Sequence, residues 1–125
     1  METALANDLR NFEPTKTRFK PLSLNALNRV LIIEDDVSLT NLLTTVLEEI
    51  SPNIQIDWAT SGEEAESYLK REGEIFGTHP YDLVVADIFL EGEITGLDIW
   101  KLCDRKYPNT NILVTSSLPV ERFVS

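Results

Sequence analysis

Val30-Leu31-Ile32-Ile33-Glu34-Asp35-Asp36 is the stretch that decides the fold. Four apolar residues in a row, three of them β-branched, make a strand covered on both faces. The run halts on three acids, so the strand's carboxyl end is where charge collects. Behind it Leu39, Leu42, Leu43, Val46, Leu47 and Ile50 recur at helical spacing and form one apolar stripe. Ser38 is the candidate N-cap of this helix and Pro52 its stop.

The alternation of strand and helix repeats downstream. Ile54, Ile56 and Trp58 alternate with polar residues, as in a strand at a sheet edge. Ser61-Gly62-Glu63-Glu64 has capping-box spacing, and Ala65, Tyr68 and Leu69 line the helix that follows. Gly73, Gly77 and Pro80 mark a loose connection to a buried strand, Asp82–Ala86, which ends on Asp87. Gly92 and Gly96 bracket an acidic loop; Leu97–Lys106 is a third helix, closed by Pro108. Ile112-Leu113-Val114 is a fourth strand, ending in Thr115-Ser116-Ser117. This order implies right-handed crossovers and an α/β fold with a doubly wound parallel sheet. Ligands of such sheets bind beyond the carboxyl ends of the strands, where strand order reverses.

Composition narrows the partners. The 125 residues suit one domain, and 42% apolar with 26% charged residues suits a folded one. The formal charge is −10, with +2 on residues 1–29 and −12 on the remainder. Such a surface repels phosphate backbones and anionic lipid, which argues against nucleic-acid and membrane partners. One cysteine, Cys103, allows no internal disulfide, and no segment has the apolar length of a membrane span or the pattern of a secretory signal. A cytoplasmic domain is expected. Residues 1–28, with Pro14 and Pro21 and no sustained period, form an N-terminal tail or arm, and the domain runs over 29–125.

In a sheet of order 2-1-3-4, strands one and three are neighbours, so Asp35 and Asp87 project into one crevice. Carboxylates this close cannot all remain ionised without a counter-charge. A hard divalent cation with oxygen ligands, Mg²⁺, supplies it.

Together these elements resemble the receiver (phosphoacceptor) domain of two-component response regulators. The resemblance rests on Val30–Asp36, on Asp82-Leu83-Val84-Val85-Ala86-Asp87-Ile88-Phe89-Leu90, on Thr95-Gly96-Leu97-Asp98 and on Ile112–Ser117. It implies the flavodoxin-like receiver fold, with Asp87 as phosphoacceptor, loaded from a histidine kinase or phosphotransfer protein. It also implies Mg²⁺ held by Asp35 and Asp87, by Glu34 through water, and by the backbone carbonyl of Phe89. Ser116 corresponds to the hydroxyl that meets the phosphoryl group and switches, with Thr115 the second choice. Family members continue into a fifth strand with a Lys-Pro pair and a final helix, whereas this sequence stops at Ser125. An open edge on strand four would then favour self-association, or cover by residues 1–28 or 118–125.

Two other functions compete. A receiver-like module could bind partners independently of phosphorylation, or Asp87 could be the nucleophile of a Mg²⁺-dependent phosphatase. The latter class wants a second acid two residues after the nucleophile, where this chain has Phe89. His79 is expected at the surface, Cys103 in the core, and Trp58 and Trp100 as packing groups.

Overall fold

The computed structural model describes residues 27–90 and 92–115. Its elements are β1 (Arg29–Ile33), α1 (Val37–Ile50), β2 (Gln55–Ala59), α2 (Gly62–Phe76), β3 (Leu83–Asp87), α3 (Gly96–Lys106) and β4 (Asn111–Thr115). The strands form one parallel sheet of order β2-β1-β3-β4, the order expected. β1 and β3 fill the centre, which is why their sequences are continuous apolar runs; β2, at an edge, alternates.

Two cores lie on opposite faces of the sheet. Leu31, Ile33, Val84, Ala86, Ile112 and Val114 face Ala65 and Leu69 of α2 and Leu97, Ile99 and Cys103 of α3. Val30, Ile32, Leu83 and Val85 face α1 through Leu43 and Leu47. Leu27 and Asn28, grouped with the arm on sequence grounds, pack with the fold. Leu27 is buried and its carbonyl accepts from Ser51 Oγ at 2.7 Å, while the Asn28 carbonyl accepts from Gln55 N–H at 2.7 Å. The remaining arm and the segment 116–125 lie outside the described residues.

Several local expectations are corrected. α1 is capped by Asp36, not Ser38: Asp36 Oδ1 accepts from the N–H groups of Ser38 and Leu39 at 2.8 and 3.2 Å. The carboxylate at the strand's end reaches the first turn, and the helix starts early enough to enclose Ser38. The apolar stripe of α1 is only half buried, because Leu43 and Leu47 meet the sheet whereas Leu42 is 59% exposed, with Val46 and Ile50 also exposed. At α2, Ser61 Oγ accepts from Glu64 N–H as expected, but the Glu64 carboxylate returns to Thr60 N–H at 3.3 Å. Gly73 is inside α2 rather than in a loose loop. A Cβ there would stand 2.8 Å from the Tyr107 ring, so the missing side chain lets α2 pack against the end of α3. His79 is exposed as expected, yet tied down: its Nε2 meets Asp82 Oδ1 at 2.7 Å and its Nδ1 the Asn109 carbonyl at 2.9 Å. Among the described residues no helix is long and apolar enough to cross a membrane.

Candidate functional site

Because β1 and β3 are adjacent, their carboxyl ends open into one crevice. Glu34 and Asp35 follow directly on β1, and Asp87 closes β3. One carboxylate oxygen from each lies within 4.8 Å of the others. Glu34 and Asp87 are each only 2% exposed, whereas Asp35 is open to solvent. The Glu34 carboxyl is pushed up to about 7. Burial is the main cause; the Asp36 N–H, donating to Glu34 Oε1 at 3.1 Å, pulls the other way; the Asp87 charge and hydrogen bonds with Asp87 and Asp35 add to the rise.

The structure therefore brings Glu34, Asp35 and Asp87 together. The third acid, Asp36, is spent on the helix cap. Phe89 sits at the rim, and its N–H donates to Asp87 Oδ1 at 3.0 Å, fixing the turn that carries the Phe89 carbonyl. Thr115 is the register partner of Asp87, with its hydroxyl 3.5 Å from the Ala86 carbonyl, the outer limit of a hydrogen bond. Ser116 lies outside the described residues.

Three residues have supporting roles that the sequence reading did not assign. Gly96 begins α3 directly above Asp87: a Cβ there would lie 2.1 Å from the Asp87 carbonyl oxygen and 2.9 Å from the Ile88 nitrogen. Both are backbone atoms and neither can yield, so Gly96→Ala should cost about 3 kcal/mol or more. Thermal unfolding should then move down by roughly 15 °C for a domain of this size; an unchanged midpoint would contradict this packing. Glu63, in the first turn of α2, accepts from Ile94 N–H at 3.0 Å and ties the β3–α3 loop to α2. Trp58 is a donor as well as a packing group: its indole N–H gives a 2.6 Å bond to the Glu34 carbonyl. Their sequence signals are faint. A lone Gly, an acid near a helix start and an edge-strand Trp each have commoner readings.

A separate groove of about 400 Å³ runs between α2 and α3, lined by Glu66, Lys70, Arg105 and Lys106 among others. Its charges are mixed and it does not open onto the acids.

Comparison with known proteins agrees with the fold. The chain is 29% identical over 97 residues to the transcriptional regulatory protein ComA of Bacillus subtilis, covering 78% of this chain and 42% of that protein. It thus spans less than half the length of that relative. The structure resembles a response regulator receiver protein from Pseudomonas putida (TM-score 0.56, 26% identity, 79% of this chain and 76% of that one). It also resembles the signal receiver domain of a modulated diguanylate cyclase from Desulfovibrio desulfuricans (TM-score 0.56, 27% identity, 78% and 72%). The pattern described as "Response regulator receiver domain" matches residues 30–122, a span that begins at the first core strand and takes in all three acids. With strand order, acid placement and family match coinciding over most of its length, the chain belongs to the response-regulator receiver-domain family.

Proposed function

We propose that the domain accepts a phosphoryl group on Asp87 from a phosphohistidine, carried by a histidine kinase or a phosphotransfer protein, and passes the change to a partner-binding face. The observation that carries this reading is the convergence of Glu34, Asp35 and Asp87, from two separate stretches of chain, within 4.8 Å in a largely buried crevice.

The donor set fits Mg²⁺. All three groups are hard oxygen donors, the kind this ion prefers. By the family resemblance Asp35 and Asp87 would hold the ion directly, with Glu34 reaching it through water and the Phe89 carbonyl as a further ligand. Bound there, the ion would neutralise both the acids and the incoming phosphoryl oxygens.

The chain's own groups do the rest. A carboxylate oxygen of Asp87 attacks phosphorus as the phosphorus–nitrogen bond to the donor imidazole breaks. The electron pair of that bond stays on the imidazole nitrogen. The Phe89 N–H holds Asp87 Oδ1 and so helps to orient the attacking carboxylate. Positioning and electrostatics carry most of the catalysis in such transfers. The aspartyl phosphate brings new charge and acceptor oxygens, to which the hydroxyl of Ser116, or of Thr115, donates, shifting the β4 end of the sheet. In this role the domain is a signalling acceptor rather than a turnover enzyme. Its setting is cytoplasmic, in keeping with the buried free thiol of Cys103.

Intact mass spectrometry after incubation with acetyl phosphate tests the reading. One added phosphate should appear with Mg²⁺ and disappear when the ion is chelated. A wild-type chain that never gains mass, from acetyl phosphate or from a phosphorylated kinase, would favour a phosphorylation-independent interaction module.

A further inference from the structure

We infer that Trp58 is a positioning residue for the acid pair, its indole N–H clamping the peptide between Glu34 and Asp35 so that both carboxylates face Asp87. The metal part of this inference rests on the phosphoacceptor reading above; its geometric part does not.

The ladder between β1 and β2 ends where the site begins. Ile32 pairs with Trp58 and Ile33 with Ala59, and the Glu34 N–H makes a last 2.9 Å bond to the Ala59 carbonyl. Thr60 and Ser61 then turn away into α2. The Trp58 side chain supplies the donor at that point, placing its N–H 2.6 Å from the Glu34 carbonyl oxygen. That oxygen belongs to the one peptide unit flanked by both acids. Holding its plane fixes ψ of Glu34 and φ of Asp35, and with them the directions in which the two side chains leave the backbone.

The clamp is stiff at its other end too. The Trp58 ring is half-buried and packs with the core that includes Ile32, Ile54, Ile56 and Leu43. It has only two rotatable bonds with which to escape. The next peptide is held as well, by the Asp36 N–H on Glu34 Oε1. An indole brings no charge, so it does nothing to offset repulsion among the acids. Its contribution is direction alone. Phenylalanine would keep most of the packing and leave the carbonyl without this donor.

The test uses the full chain and compares Trp58→Phe with Ile56→Ala, a neighbour in the same core that makes no bond to Glu34. Calorimetric titration should show Mg²⁺ affinity about tenfold weaker in Trp58→Phe, the low end for losing a group that orients a ligand. Ile56→Ala should lose stability but keep its affinity. Without metal, the Asp35 amide should shift by ¹⁵N NMR and exchange with solvent about tenfold faster in Trp58→Phe only, as local opening becomes easier. A Mg²⁺ affinity equal to wild type, or a loss matched by Ile56→Ala, would overturn the assignment. A wild type that binds no Mg²⁺ would instead sink the phosphoacceptor reading; the amide comparison then decides alone, and an unmoved Asp35 overturns the clamp. Should phenylalanine loosen the fold, 3-benzothienylalanine at position 58, the same shape with sulfur in place of the N–H, repeats both measurements.

Discussion

Asp87→Ala should gain no phosphate at all under conditions that modify the wild type completely. Glu34 and Asp35 remain in this variant, but neither can substitute. Glu34 is buried and pushed up to about 7, hence a poor nucleophile when protonated, and Asp35 stands exposed at the mouth of the crevice. Asp35→Ala should still be modified, at a rate lower by about tenfold or more. Groups that merely orient metal ligands already carry factors of that size, and a ligand should carry no less. Intact mass followed over time measures both. Undiminished modification of Asp87→Ala would move the acceptor to another residue.

The second large effect is on stability and has a definite sign with pH. Glu34 has its ordinary value of 4.5 in the unfolded chain and about 7 in the fold. The folded state therefore holds the extra proton across that interval, and stability falls as pH rises through it, by up to about 3 kcal/mol. Asp82 does not blur the trend. Burial works against its charge, but the His79 ring and the N–H groups of Asn28 and Arg29 hold it below its usual value, so its contribution is lost only under about pH 4. Glu34→Gln keeps the shape of the side chain and removes the titration. In metal-free urea melts it should flatten the slope between about pH 5 and 8 and raise stability near pH 8 by up to about 3 kcal/mol. Equal slopes for variant and wild type would contradict the burial of a charged Glu34. Mg²⁺ should also stabilise the wild type more at the alkaline end, where it no longer competes with the proton.

The fold was legible in the sequence because its signals were redundant. Val30–Ile33 and Val84–Ala86 read as strands covered on both faces, and the 2-1-3-4 order of the receiver-like fold then brought Glu34, Asp35 and Asp87 to one place. What stayed hidden depended on a second partner. Asp36 looks like a third site acid until the path from β1 into α1 puts it over the first helical turn. Leu42, Val46 and Ile50 look like core because periodicity reports a face, not what lies against it. Gly73 looks like a breaker until Tyr107 fills the space. Trp58 reads in sequence as the packing group of an edge strand, and only the ending of the β1–β2 ladder gives its N–H a carbonyl to meet. The roles of Phe89, Thr115 and Ser116 rest on the family's pattern, with the first two placed beside Asp87 by the structure.

The central position of β1 has a kinetic consequence. Its pairing with β2 spans one helix, but Ile33 meets Ala86 only after the intervening chain has closed a long loop. The β1–α1–β2 unit can form early and cheaply, while docking β3 against β1 carries the greater entropic cost. Glu34 and Asp35 arrive with the first event and Asp87 with the second. No partly folded form built on the first unit alone holds the complete acid cluster, so charge crowding is met only at the last step of assembly. Divalent cation should accordingly leave early collapse unaltered and act on the later docking of the two halves.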